Sequence, residues 1–140
     1  MKGYHSAMSL APNVRAFLDE KRFAVLATIN DDGTPQLTVM WYTLRDDTII
    51  MNTTLSRVKG KNLRRDPRIS ICVEDGYRFV TIAGAAQLDE DQTIAQRDIR
   101  DLAIRYNGPE VGERQAAEFA RQRRVTIALP ISQMIAQGFE

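Results

Sequence analysis

Short apolar or alternating stretches, each closed off by turn residues, constrain this chain more than any other feature. Phe23 to Ile29 reads F-A-V-L-A-T-I, apolar on both faces, so both of its sides must be covered. Asn30-Asp31-Asp32-Gly33 is a hairpin signal. Pro35 to Leu44 then alternates as a second strand, with Leu37, Val39 and Trp41 on one face and Gln36, Thr38, Met40 and Tyr42 on the other. Arg45-Asp46-Asp47 turns the chain into a third strand, Thr48 to Thr53, and the three in succession predict an antiparallel meander. Arg68 to Glu74 alternates as a fourth strand. Asp75-Gly76 turns it into a long fifth, Tyr77 to Leu88, where Gly84 marks a bulge or a barrel corner. Val125 to Ile131 is the sixth, and Ser132 to Gln137 either extends it or is irregular.

Helical periodicity is confined to the outside of this pattern. Val14, Phe17 and Leu18 recur at helical spacing within Ser9–Arg22. Asp89 to Asp91 are helix-start acids, followed by a stripe of Ala95, Ile99, Leu102 and Tyr106 that ends at Asn107-Gly108-Pro109. A further helical stretch covers Glu113 to Gln122. With no βαβ rhythm, repeats or linker, the fold class is α+β: one domain over residues 1–140, a small antiparallel six-stranded barrel with peripheral helices. Residues 1–8 read as a mobile tail.

Composition excludes several functions. The 140 residues are 44% hydrophobic and 26% charged, ordinary for a soluble globular protein. No apolar run approaches the ~20 residues that span a bilayer, and the first residues lack a signal-peptide core, so the expectation is a cytoplasmic protein with no membrane partner. The single cysteine, Cys72, excludes an internal disulfide and reads as a packed thiol. With His5 as the only histidine, neither a His-based metal site nor a catalytic triad can be assembled, and no metal ligands are assigned.

Charge is concentrated in one place. Residues 57 to 68 hold six of the 19 basic residues and one acid, leaving 13 basic and 17 acidic residues elsewhere. Within this run, Ser56 to Pro67 (S-R-V-K-G-K-N-L-R-R-D-P) predicts a short helix with Ser56 as N-cap and Pro67 beyond its end. Arg57, Lys59 and Lys61 crowd an end that the macrodipole and free N–H groups already make positive. A bound anion reverses that conflict, so the segment is predicted to grip a cofactor phosphate. A compact patch on an acidic body suits a discrete anionic ligand rather than nucleic acid.

Hairpin D-D-G-T-P, strand Q-L-T-V-M-W-Y, strand I-I-M-N-T-T and the run S-R-V-K-G-K-N-L-R-R-D-P-R together resemble the pyridoxamine 5'-phosphate oxidase-like split-barrel superfamily, and within it the F-420 (deazaflavin)-dependent oxidoreductase branch. The resemblance spans Val14 to Ile131, and Lys59 to Pro67 is its most specific part. It implies a homodimeric split barrel with cofactor sites at the subunit interface. Carried over by position, it implies that Arg57 and Lys59 hold the phosphate and that Asn62 fixes the helix. Thr53, Thr54 and Ser56 lead into the site, and Gln36, Thr38, Val39, Met40 and Trp41 run beside the cofactor ring. The second strand lacks the basic ends of the Arg-x-x-Leu-Leu-Lys pattern of FMN-using oxidases, which argues against pyridoxine-phosphate chemistry without excluding FMN; the branch resembled implies F-420 as cofactor, with FMN as alternative. The resemblance implies hydride transfer from the reduced deazaflavin to an unsaturated small molecule, the proton coming from solvent or a hydroxyl such as Tyr42 or Tyr77. The other readings are an FMN-dependent oxidoreductase of the same fold and a non-catalytic flavin-binding module.

Overall fold

The computed structural model describes residues 10–140. The predicted tail, His5 and the first residue of the predicted N-terminal helix lie outside the described residues. Helix α1 spans Pro12–Asp19, with Val14, Phe17 and Leu18 buried as the periodicity requires. Strands β1 (Ala24–Ile29), β2 (Pro35–Met40), β3 (Thr43–Arg45) and β4 (Thr48–Thr54) follow, then helix α2 (Val58–Arg65). Strands β5 (Arg68–Glu74), β6 (Phe79–Ala85) and β7 (Gln87–Asp89) lead to helix α3 (Gln92–Phe119), and β8 (Arg124–Pro130) and β9 (Gln133–Gln137) complete the order.

The strands form two antiparallel sheets, β2-β1-β5-β6-β9 and β3-β4-β8-β7. The predicted meander is therefore corrected: β2 pairs with β1, but its continuation leaves that sheet and pairs with β4 in the other. The six predicted strands become nine by the same mechanism. Sheets that wrap a common core need corners, and the chain breaks where it passes from one sheet to the other. The second predicted strand breaks at Trp41-Tyr42, the fifth at Ala86, and the sixth ends before Ser132–Gln137, most of which is strand β9. Gly84 still pairs with Ile69, so the corner lies beyond it, at Ala86, whose N–H donates to Pro67 O (2.7 Å).

Between the sheets lies the main core, built from Leu26, Ile49, Met51, Ile71, Ile82, Ile127 and Leu129 and closed by Phe17 and Leu18 from α1 and Leu63 from α2. A second, smaller cluster of Ile99, Leu102 and Tyr106 packs with Trp41 and Phe119. Asp91 caps α3, its Oδ1 accepting from Thr93 N–H (2.9 Å) and Ile94 N–H (3.3 Å), as the acidic run predicts. The predicted stop at Asn107-Gly108-Pro109 is a sharp break, with Gly108 at φ 85°, after which α3 continues to Phe119. Among the described residues no helix is long and apolar enough to cross a membrane.

Helix α2 begins differently from the prediction. Arg57 occupies the cap position without a side-chain cap bond, and Ser56 Oγ lies 3.1 Å from Thr54 Oγ1 instead. What fixes the helix is a close backbone approach: a Cβ on Gly60 would stand 2.4 Å from Thr54 O and 2.8 Å from Leu55 Cα. Only glycine allows α2 to lie so tightly against the end of β4. Gly60→Ala is expected to reduce stability by about 1–3 kcal/mol, read as a lower urea midpoint with an unchanged slope.

Candidate functional site

The cleft beside α2 is assembled from five elements. Val39, Met40 and Trp41 come from the end of β2 and its corner, Asn52 from β4, Arg57 from the start of α2, Ile99, Leu102 and Phe119 from α3, and Arg124 from β8, around a volume of ≈ 210 Å³. A second groove of ≈ 440 Å³, lined by Thr54, Leu55, Ser56, Gln122 and Arg123, shares Arg57 with it. One wall is aromatic: Trp41 stacks on Tyr106 (centroids 5.4 Å apart, 11° between planes) and meets Phe119 edge-on.

The corner that places Trp41 is held by Tyr106. Its hydroxyl accepts from Tyr42 N–H (3.0 Å) and donates to Arg22 O (2.5 Å). Arg105 Nε also donates to Tyr42 O (3.0 Å). Tyr42 itself faces the core, its hydroxyl donating to Leu18 O (2.8 Å). Burial and then the neighbouring Tyr106 push that phenol up to about 12. Tyr42 is thus a structural residue, not a proton donor at the cleft. Tyr77, the other hydroxyl considered, lies 92% exposed beside the β5–β6 turn.

Opposite the aromatic wall the cleft carries Arg57 and Arg124, while Lys59 lines neither cavity and lies near enough to both arginines to feel their charge. Lys59 is 7% exposed, and neither its ammonium nor the Arg57 guanidinium has a hydrogen-bonded or ion-paired partner among the described residues. Burial, then Arg57 and Arg124, hold the Lys59 ammonium below its ordinary range. Arg124 is buried, donating from Nε to Asn52 Oδ1 (2.9 Å) and from Nη1 to Gln122 Oε1 (2.5 Å). Burial and the nearby Arg57 push it down to about 10. Among the described residues no acid pairs with these three charges: Glu90 is paired with Arg64, and Asp98 with Arg45 and Arg97.

Not every residue implied by the resemblance lines this cleft. Val39, Met40, Trp41 and Arg57 do, and Thr54 and Ser56 line the adjoining groove. Thr53 is fully buried, with a hydroxyl that finds no hydrogen-bond partner among the described residues; Asn52 lines the cleft in its place. Gln36 and Thr38 belong to a polar chain that reaches α2. Gln36 Nε2 donates to Thr38 Oγ1 (3.0 Å), Thr28 Oγ1 to Gln36 Oε1 (3.1 Å), and Asn62 Nδ2 to Thr28 Oγ1 (3.1 Å) and Asn30 Oδ1 (3.0 Å). Asn62 therefore ties α2 to β1. The remaining basic residues divide: Arg64 pairs with Glu90 (2.7 Å), and Arg65 donates to Ile29 O (2.6 Å) and Asn62 Oδ1 (2.8 Å), whereas Lys61 is exposed. Arg64 and Arg65 are structural.

Asn52 and Arg124 are absent from the sequence reading. Asn52 hides in the apolar run I-I-M-N-T-T, and Arg124 follows two other basic residues at what reads as the edge of a strand. The signal for both is the register Thr54↔Arg124 and Asn52↔Thr126, which only the pairing of β4 with β8 supplies.

A model of the pyridoxamine 5'-phosphate oxidase family matches residues 10–136. The chain belongs to that family. An F-420H(2)-dependent biliverdin reductase of Mycobacterium tuberculosis is 27% identical over 131 residues, covering 92% of this chain and 89% of that protein. A conserved hypothetical protein of the same organism has a crystal structure that superposes with a TM-score of 0.80 at 30% identity, covering 95% of this chain and 87% of that one. A structure described as an F-420 reductase superposes with a TM-score of 0.73 at 24% identity, over 90% of this chain and 98% of that one. The family places this chain among relatives of oxidoreductases, and the two-sheet arrangement is consistent with their split barrel.

Tyr106→Phe leaves the Tyr42 N–H unpaired at the corner. It is expected to lower stability by about 1–3 kcal/mol and to shift the emission of Trp41, the only tryptophan. A shifted emission maximum together with a lower urea midpoint checks both parts.

Proposed function

We propose that this protein is an F-420-dependent reductase, in which the phosphate of the deazaflavin is held by Arg57 and Lys59 and its ring lies along Val39, Met40 and Trp41. The observation that carries the reading is Lys59: a buried ammonium with no described counter-ion, close enough to Arg57 and Arg124 of the cleft to feel their charge. A buried cation persists when a partner neutralises it, and a ligand phosphate is such a partner. The similarity to an F-420H(2)-dependent reductase over most of the chain favours F-420 over FMN.

The reduced deazaflavin supplies hydride from its C5 when bound. The chain's own residues bind, orient and exclude water. Arg57 and Lys59 fix one end of the ligand through charge-assisted hydrogen bonds, and the Trp41–Tyr106 stack presents a rigid apolar surface along the other. Ile99, Leu102 and Phe119 complete an apolar lining for an unsaturated small-molecule substrate. With Tyr42 committed to Leu18 O, the proton comes from solvent.

Titration with F-420 and with FMN, followed by quenching of each cofactor's fluorescence, tests the assignment. Saturable binding of F-420 is expected; tight FMN binding with none of F-420 would assign the FMN-dependent alternative instead. Replacing Arg57 and Lys59 together by Ala is expected to weaken cofactor binding by roughly a hundredfold or more. Unchanged affinity would remove both residues from the site.

We also propose that the active form is a homodimer. The outer face of the five-stranded sheet carries Leu37 (65% exposed), Val39, Val25 and Ile135 (64% exposed), with Ala27, Ala83 and Cys72 and the small polar Ser70 and Thr81 between them. An antiparallel sheet facing water is normally polar on that side, and an apolar patch of this extent suits a second copy. Cys72 is half-buried there, not packed inside as its sequence suggests. Light scattering is expected to give twice the 15.8 kDa chain mass for the wild type and the single-chain mass for Leu37→Asp/Ile135→Asp. A wild type that elutes as a monomer contradicts the proposal.

A further inference from the structure

We infer that Arg124 is the third arm of the anion clamp, a buried positioning residue whose unbalanced charge makes the empty clamp unfavourable and a filled one stable. The inference rests on the proposed function only for the identity of the ligand. It concerns a residue that neither the sequence motif nor the resemblance includes.

Arg124 is 3% exposed, more deeply buried than Lys59. All its protein partners are neutral: Asn52 Oδ1, Gln122 Oε1, and the ring of Phe119 4.8 Å from the guanidinium carbon. Its backbone is fixed as well, because Gln92 Oε1 accepts from Arg124 N–H (3.0 Å) and Gln92 Nε2 donates to Arg124 O (2.8 Å). Hydrogen bonds of this kind hold a guanidinium in place without neutralising it. A buried arginine is ordinarily paired with a carboxylate. Here the other influence of charge on Arg124 is Arg57, a second cation.

Nη2 of Arg124 makes no hydrogen bond to a described residue, and the side chain lines the cleft beside Arg57. Arg57 and Arg124 thus share the cationic end of the cleft, and Arg57 acts unfavourably on Arg124 as both do on the buried Lys59 nearby. An anion with two or more negative charges removes that repulsion and receives donors from β8 as well as α2. Phosphate is the simplest probe of this chemistry, since it carries the charge without a ring.

Binding to the folded state alone stabilises it in proportion to ligand concentration over Kd. Thermal unfolding of the wild-type chain is therefore compared in sodium phosphate and in sodium chloride at matched ionic strength. A saturable rise of roughly 5–10 °C at about a hundred times Kd is expected in phosphate only. Arg124→Met should unfold at a higher temperature than wild type in chloride and lose the phosphate response, whereas Arg124→Lys should keep part of it. A merely structural arginine predicts the opposite: a lower midpoint for Arg124→Met in chloride with the phosphate response intact. That result, or no phosphate response in the wild type, or failure of both Arg124→Met and Arg124→Gln to fold, overturns the inference. Stabilisation by phosphate through Arg124 without binding of either ring cofactor would refute the cofactor reading and leave the clamp standing. Ring binding with a phosphate response indifferent to Arg124 would do the reverse.

Discussion

The geometry of the cleft depends on one hydroxyl. Tyr106 reaches from α3 to the place where the chain leaves one sheet for the other, accepting from the N–H of Tyr42 and donating to the carbonyl of Arg22. A chain crossing between sheets leaves backbone groups without ladder partners, and buried orphans of that kind are strongly unfavourable. Supplying the partner from α3 means that the corner and the helix cannot be positioned independently. The ring that carries the hydroxyl is the one on which Trp41 stacks, so the aromatic wall and the sheet corner are set by the same residue.

A second constraint runs through the cationic wall. The start of α2 is pressed against the end of β4 by the Gly60 contact, while β4 is paired over its whole length with β8. Arg57 and Lys59 therefore sit at a fixed distance from Arg124, although the two groups are separated by a helix, three strands and α3 in sequence. Side chains on flexible loops would relax apart under mutual repulsion. These are held by backbone contacts and, for Arg124, by two neutral hydrogen bonds, so the repulsion is retained in the folded state.

Much of this was legible in the sequence because it is local. Apolar alternation located the strands, Asp91 and the Asn107-Gly108-Pro109 break located the limits of the first part of α3, and the basic run from Arg57 located α2. What was not legible depends on pairing across long separations. Nothing near Trp41 in sequence shows that the strand turns a corner there, because its cause, Tyr106, lies 64 positions beyond Tyr42. Ser56 reads as a helix cap from residue type alone, yet the Gly60 approach starts the helix after Arg57 instead. Asn52 and Arg124 were missed for a related reason: each is a polar residue at a position that reads as strand interior or strand edge, and only the pairing of β4 with β8 brings them to one cleft, where they share a hydrogen bond.

The same reasoning separates the basic residues of α2 into two kinds. Arg64 and Arg65 find partners in Glu90, Ile29 O and Asn62 Oδ1, so the fold already accounts for them. Arg57 and Lys59 find none among the described residues; Arg57 is exposed, but Lys59 is buried, and the charges that act on it are Arg57 and Arg124, both cations. A sequence that needed only a solvated basic helix could have placed all its charges as it placed Lys61, facing water, where an ammonium is unpenalised. Burying Lys59 and Arg124 without a carboxylate is unfavourable on its own, and a bound anion is the partner that would offset it. That asymmetry between exposed, paired and stranded cations is a stronger indication of a ligand than the number of basic residues in the run.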